Sequence, residues 1–423
     1  MNPIKLITVL FTALLITACQ SQPVQVLAPE VASPSSLATL TELGDSLVAE
    51  KKFAGASFAV IKDGVQIHSS MHGVYGIDNP KPIAEDTLFR IFSMTKPITA
   101  VAAMMLHEEG KFDLDDPVAD YLPQFKNPQV MGDDGIARPA KNVMTIRQLL
   151  THSAGFTYGF APDSIVDKAY FEAQLFFRSP DLNAFIDNLA ALPLKHEPGT
   201  QYRYSVSIDV VGAIVEKISG QSLEAFFKER VFTPLAMTDT FFRVPAEKMH
   251  RVASFQYWNP ETKQIDMMPT EYQNDLTKVA LYSGGGGLVS SLGDYLKFCQ
   301  MLLNGGEGNG ARLLKAETVA LMMTDHMTPE VRSAGGPYPD INIYDGTSMG
   351  LGFSIVYDET QLPEEYSQGE VAWSGLAATQ FFIDPSQNLA AVAMVQLARH
   401  PWELDRLLRV ETQHGIDQLD DQE

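Results

Sequence analysis

The sequence predicts an α+β fold in which both ends of the chain supply strands to one antiparallel sheet, with a mainly helical stretch between them. Three observations lead there. Strand patterns occur at 57–70 and return at 351–396, helical patterns fill most of the interval, and no regular alternation of strand and helix runs along the chain.

The elements follow in order. Leu40, Leu43 and Leu47 share a helical face, and Phe53-Ala54-Gly55 closes that segment. SFAVI (57–61) and VQIHSS (65–70) flank Lys62-Asp63-Gly64, a hairpin signal because Asp-Gly suits the tight turn between two apolar runs. After Thr87 the pattern turns helical, with Ile98, Val101, Ala102, Met105 and Leu106 on one face and Gly110 as the stop. Within 111–283 a stripe of Ile208, Val211, Ile214, Val215 and Ile218 ends at Gly220. Strands return at LGFSIVYD (351–358), TQFFID (379–384) and LAAVAMVQ (389–396), the last two joined by the turn Pro385-Ser386-Gln387-Asn388. A closing helix carries Trp402, Leu404, Leu407 and Leu408 ahead of an acidic tail, GIDQLDDQE. The expected division is a discontinuous sheet domain, 37–110 and 284–423, around a helical domain, 111–283.

Composition narrows the function. The 423 residues are 45% hydrophobic and 20% charged, ordinary values for a chain with a sizeable core. With 52 acidic against 31 basic side chains the net charge is −21, which argues against a nucleic-acid partner, since such proteins carry a basic footprint. Two cysteines, at 19 and 299, rule out a disulfide scaffold or a cysteine-rich zinc site. Cys299 sits in the apolar helical pattern LKFCQMLL and reads as a core residue.

Cys19 ends a different pattern. Lys5 precedes an apolar stretch of twelve residues, Leu6 to Thr17, shorter than the roughly 20 needed to cross a bilayer but right for a secretory signal. Ile16-Thr17-Ala18-Cys19 resembles a bacterial lipobox, which implies a signal peptide over 1–18 and a lipid on Cys19; a plain signal peptide cut nearby is the alternative. The resemblance places the protein in the periplasm with the membrane as its partner, and Gln20 after the cysteine favours the outer membrane. The Pro-, Ser- and Gln-rich run that follows makes 19–36 a lipidated tether.

The chemistry centres on Ser93-Met94-Thr95-Lys96. A serine in the first turn of a helix presents its own unpaired N–H to an oxyanion, and the positive helix end favours developing negative charge. A lysine three residues on lies one turn away on the same face, where a neutral amine can take the hydroxyl proton. Lys96 is the one lysine of 18 with a serine three residues before it. Pro97 is tolerated close to that first turn.

The surrounding blocks are more specific. TLFRIFSMTKPITAVAAMMLHEEGKFDLDDPVADYLPQF (87–125), LLTHSAGF (149–156), EPGTQYRYSVSIDVVGAIVEKISG (197–220), GGGGLVSSLGDYLKFCQMLLNGG (284–306) and EVAWSGLAATQFFIDP (370–385) resemble, in order, the serine β-lactamase-related hydrolases, chiefly family VIII esterases and their class C β-lactamase relatives. The resemblance implies the β-lactamase/transpeptidase-like fold, with Ser93 as acylated nucleophile and Lys96 as its base partner. It makes Tyr204 the tyrosine that shuttles protons with Lys96. Trp373, Ser374 and Gly375 occupy the third, substrate-binding motif, and the backbone N–H of Leu376 completes an oxyanion hole with that of Ser93. Such a site requires neither metal nor cofactor. Whether Lys96 or Tyr204 is the general base stays open at this point.

Two departures bear on the substrate. Val206 stands where true β-lactamases of this group have asparagine, and Trp373 where they have a cation. Losing such a charge-assisted anchor removes roughly 1.5–3 kcal/mol of binding to an anionic lactam or peptide. The W-x-G variant is what family VIII esterases show, so the resemblance implies an uncharged small-molecule ester; the expected reaction is hydrolysis of short-chain acyl esters, with weak β-lactamase or D-amino-acid peptidase activity, or a non-catalytic cell-wall-binding lipoprotein, as alternatives. Gly346-Thr347-Ser348-Met349-Gly350 matches G-x-S-x-G, yet that chemistry needs a strand, an elbow and a helix, and Gly352 onward reads as strand. His107-Glu108-Glu109 lacks a second histidine for zinc, His152 reads as structural, and Ser283 with Gly284 to Gly287 reads as close backbone approach beside the cleft.

Overall fold

Residues 389–395, LAAVAMV, are apolar and buried at every position because both faces of their strand are covered. The computed structural model describes residues 37–161, 164–334, 343 and 345–420; the expected signal peptide, Cys19 and the tether lie outside them. Eight strands form one antiparallel sheet, in the order Thr347–Met349, Ser354–Val356, Val371–Ser374, Gln380–Asp384, Leu389–Val395, Gly55–Lys62, Val65–Gly76 and Asn79–Pro82. The two ends of the chain meet in the centre of that sheet, where Ala56 to Lys62 pair with Val395 to Leu389. The hairpin turns at Asp63-Gly64, as its sequence predicts.

Strand alternation sorts the core into two layers. Phe58, Val60, Phe382, Ala391 and Ala393 face the outer helices Ala38–Ala49 and Leu404–Asp420. Ala59, Ile61, Phe381, Val392 and Met394 face inward with Val371 and Trp373, into the main core. At the centre of that core lies the helix Thr95–Glu108, buried at every position from Thr95 to Leu106. It packs on the helix Ser207–Ser219, whose apolar stripe ends at Gly220 as expected. The stretch 111–283 also carries the helices Ile165–Ala173, Leu175–Arg178 and Leu182–Ala190 and a strand pair, Gln256–Asn259 with Gln264–Met267. Among the described residues no helix is long and apolar enough to cross a membrane.

Two expectations are corrected. The strand expected over 351–358 is confined to Ser354–Val356, because the N–H groups of Leu351 and Gly352 bond the carbonyls of Met322 and Leu150 instead of a ladder. The acidic tail is helical up to Asp420: Ile416 extends the buried face, and the added methyl of an alanine at 415 would meet Leu37, so this turn is docked on the first helix.

The closing helix is also pinned by charge. Glu370 leads into the strand Val371–Ser374, and Arg409 of the helix bonds its carboxylate at 2.7–2.8 Å, both side chains buried. Burial raises the Glu370 carboxyl to about 6 from its ordinary 4.5, against the pull of Arg409. A pKa raised on folding adds stability below 4.5 that is lost as pH rises through about 6. Arg409→Met strands a buried carboxylate and is expected to cost about 3–5 kcal/mol in urea unfolding. Without the guanidinium the carboxyl rises further, so the deficit should widen as pH goes from about 5 to about 8. A deficit that does not change with pH would contradict this account.

Candidate active site

The strand Leu88–Arg90 feeds a short 3-10 turn, Phe92–Met94, that runs directly into the helix Thr95–Glu108. Phe92 takes a left-handed φ of 44°, a costly conformation for a bulky residue, one position before Ser93. Its ring rests against Phe255 at 5.1 Å. Ser93 Oγ lies 2.5 Å from Tyr204 Oη, and Lys96 Nζ donates to the same Ser93 oxygen at 3.1 Å. Tyr204 comes from the extended segment just before the helix Ser207–Ser219. One helical turn and a tyrosine 111 residues further along the chain thus share one hydrogen-bonded oxygen.

Lys96 is fully buried, with its Nζ 4.7 Å from the Tyr204 ring centre. Nζ also donates to the Gly285 carbonyl at 2.6 Å and to Tyr158 Oη at 3.1 Å. Trp373 is buried, 5.9 Å from Tyr204 and stacked on His152 at 6.2 Å with ring planes 5° apart. Ser374 pairs with Gln380, and strand alternation sets its side chain with Ala372, toward the outer layer. Gly375 is where the strand touches the nucleophile segment: a Cβ there would sit 2.2 Å from Thr379 Oγ1 and 2.4 Å from the Ile91 carbonyl oxygen. Leu376 follows in the turn, 60% exposed at the rim.

A family model described as Beta-lactamase matches residues 40–414. The chain belongs to the beta-lactamase family. Protein Rv1367c from Mycobacterium tuberculosis is 36% identical over 77% of this chain and 81% of its own length. Esterase EstB from Burkholderia gladioli is 27% identical over 86% of this chain and 91% of its own. A solved structure described as EstCE1, a hydrolase with promiscuous acyltransferase activity, matches with a TM-score of 0.75 at 25% identity, covering 90% of this chain and 98% of that one. This beta-lactamase-family chain is a serine hydrolase built on the β-lactamase/transpeptidase-like fold.

The beta-lactamase-family site holds groups that sequence reasoning missed. Tyr158, two residues past the LLTHSAGF block, places its ring 5.0 Å from Tyr204 as well as its hydroxyl on Lys96. Burial, with Tyr204 and Asp209 nearby, pushes its phenol well above the usual tyrosine range. Asp209, buried five residues after Tyr204, accepts from Ser283 Oγ at 2.5 Å and from the Gly285 N–H at 3.0 Å. Burial raises its carboxyl despite those bonds and the Lys96 charge. The carboxylate therefore sets the turn whose carbonyl holds Lys96. A Cβ at Gly285 would lie 2.4 Å from Asp209 Oδ2, so the close backbone approach expected for this glycine run is what the turn provides.

His152 stands beside the chemistry without entering it. Burial and the Lys96 charge hold its pKa far below the usual value, so the ring is neutral. Its carbonyl accepts the Arg203 N–H at 2.8 Å and its Nδ1 lies 3.3 Å from Ser205 Oγ, bracing the chain on both sides of Tyr204. The G-x-S-x-G serine, Ser348, lies in the strand Thr347–Met349, buried, 2.5 Å from Asp325 Oδ1 and 3.2 Å from Arg332; no elbow is present there. Cys299 is a free, buried thiol that burial pushes well above its usual range. Val206 is buried at the start of its helix.

Proposed function

We propose that the protein hydrolyses small carboxylic esters with short acyl chains through an acyl-enzyme on Ser93. The observation that carries this is the shared oxygen: Ser93 Oγ within hydrogen-bond reach of both Tyr204 Oη and Lys96 Nζ. Ser93 Oγ bonds to the ester carbonyl carbon, and its proton passes to the Tyr204–Lys96 pair. The tetrahedral oxyanion faces the backbone N–H groups of Ser93 and Leu376. The bond to the alcohol oxygen then breaks, and the pair returns the proton to the departing alkoxide. Water, deprotonated by the same pair, attacks the acyl-serine, and Ser93 leaves with the proton restored.

An uncharged ester is favoured because Trp373 presents an indole against Tyr204 where a β-lactam carboxylate would want a cation. Acyl transfer is the second reading: an alcohol bound in place of water would receive the acyl group by the same steps, and EstCE1 carries such activity in its description. We also propose that Cys19 bears a lipid that anchors the enzyme on the periplasmic side of the outer membrane.

A fluorophosphonate probe tests the assignment. The wild type should be labelled covalently and Ser93→Ala should not, while Ser348→Ala should label like wild type. Label that survives in folded Ser93→Ala, or disappears in folded Ser348→Ala, would place the nucleophile elsewhere. A panel of p-nitrophenyl esters should give its highest kcat/KM at acetate or butyrate; a maximum at long acyl chains would rule out the short-chain preference.

A further inference from the structure

Beside the site lies an apolar surface that the hydrolytic steps leave unused. Phe160, Phe171 and Phe177 are 57%, 71% and 63% exposed, and Phe176 is 39% exposed. Together these four rings show on the order of 450 Å² to solvent, taking about 200 Å² for each. Patches of that size on a soluble surface commonly mark a binding site. The patch is continuous with the chemistry. Phe160 and Phe176 both stack on the Tyr158 ring, at 5.3 and 6.2 Å, and the Tyr158 hydroxyl bonds Lys96. Gly159 packs against the backbone N–H of Phe171, and Phe177 directly follows Phe176, so the four residues lie on neighbouring segments, with Phe160 and Phe176 the two whose rings reach Tyr158.

We propose that this aromatic strip binds the alcohol half of the substrate and selects esters of large apolar alcohols. The inference rests on the ester-hydrolase reading above and adds a direction to it. The proton must return to the departing alkoxide from Tyr204 or Lys96, so the alcohol oxygen leaves beside Tyr204 Oη. The next ring outward is Tyr158, 5.0 Å from Tyr204, and beyond it come Phe160 and Phe176. The carbon body attached to the leaving oxygen therefore runs onto the strip. A short acyl group and a large flat alcohol are thus compatible in one substrate.

Matched acetates of similar alkoxide basicity test this: ethyl acetate and 2-(1-naphthyl)ethyl acetate, with ethyl octanoate as the acyl-side control. Wild type should show kcat/KM at least about tenfold higher for the naphthylethyl ester, from burial of the extra ring area. Phe160→Ser and Phe176→Leu should each lower the ratio of the two acetates by about tenfold, mostly through KM. Val143→Ser, an exposed apolar residue elsewhere, should leave the ratio unchanged. A ratio unmoved by both strip variants would overturn the proposal, as would variants that lower ethyl octanoate hydrolysis and spare the naphthylethyl ester. Equal loss of binding to neutral phosphatidylcholine vesicles in Phe160→Ser and Phe171→Ser, with the ratio intact, would make the patch a lipid-docking face instead and reject the proposal. Failure of the ester reading itself appears differently, as no Ser93-dependent turnover of either acetate.

Discussion

Replacing Ser93 by alanine or Lys96 by methionine is expected to lower kcat for a short acetate ester by about 10⁴-fold, with KM changed far less. In the proposed mechanism Ser93 supplies the atom that is acylated. Lys96 places its Nζ 3.1 Å from that atom and 4.7 Å from the Tyr204 ring centre. Methionine keeps most of the length and apolar stem of the buried lysine but offers no donor, so the Gly285 carbonyl and Tyr158 hydroxyl lose their shared partner. Because the two residues act on one proton, the double variant should be no slower than Ser93→Ala alone. Initial rates on p-nitrophenyl acetate, with thermal unfolding as the check on folding, decide it. A folded Lys96→Met enzyme within about tenfold of wild type would show that Tyr204 manages the proton without the lysine.

Gly375→Ala is expected to reduce kcat by about 10²- to 10³-fold from a single methyl group. That methyl would lie 2.4 Å from the Ile91 carbonyl oxygen and 2.2 Å from Thr379 Oγ1. The hydroxyl can rotate, but the carbonyl belongs to the backbone two residues before Ser93. Relief must separate the strand Val371–Ser374 from the nucleophile turn, and with it the Leu376 N–H from the oxyanion position of the proposed mechanism. The bonds Gly375 N–H to Thr379 O, at 2.7 Å, and Thr379 Oγ1 to Ile91 O, at 3.2 Å, are lost or lengthened with it. Overpacking of this kind costs about 1–3 kcal/mol of stability as well. Gly293→Ala, whose methyl meets open space, is the control and should leave kcat unchanged. Normal kcat in a Gly375→Ala enzyme would remove Leu376 from the oxyanion hole.

The legible part of the molecule is the part written in local pattern. The hairpin of 55–76 was readable because Asp63-Gly64 interrupts two apolar runs, and the stripe of Ser207–Ser219 because its apolar spacing is 3.6 residues and Gly220 ends it. Ser93 and Lys96 were readable because one helical turn separates them, and Tyr204 and Trp373 because their blocks resemble a family. Errors arose where long-range contacts override pattern. Leu351 and Gly352 look like strand yet bond Met322 and Leu150, and the acidic tail, read as following the closing helix, continues it and packs on Leu37.

The sequence by itself therefore determined the fold class, the serine hydrolase chemistry and the loss of the cation at the third motif, all of which depend on residue type and near spacing. Tertiary structure alone decided which groups surround the lysine. Tyr158 and the Gly285 carbonyl come from 62 and 189 residues away from Lys96 along the chain and bond its amine directly, while Asp209, 113 residues away on the helix Ser207–Ser219 that packs on Thr95–Glu108, holds the Gly285 turn in place. A buried amine needs hydrogen-bond partners from several directions, and one helical turn can supply them from only one side.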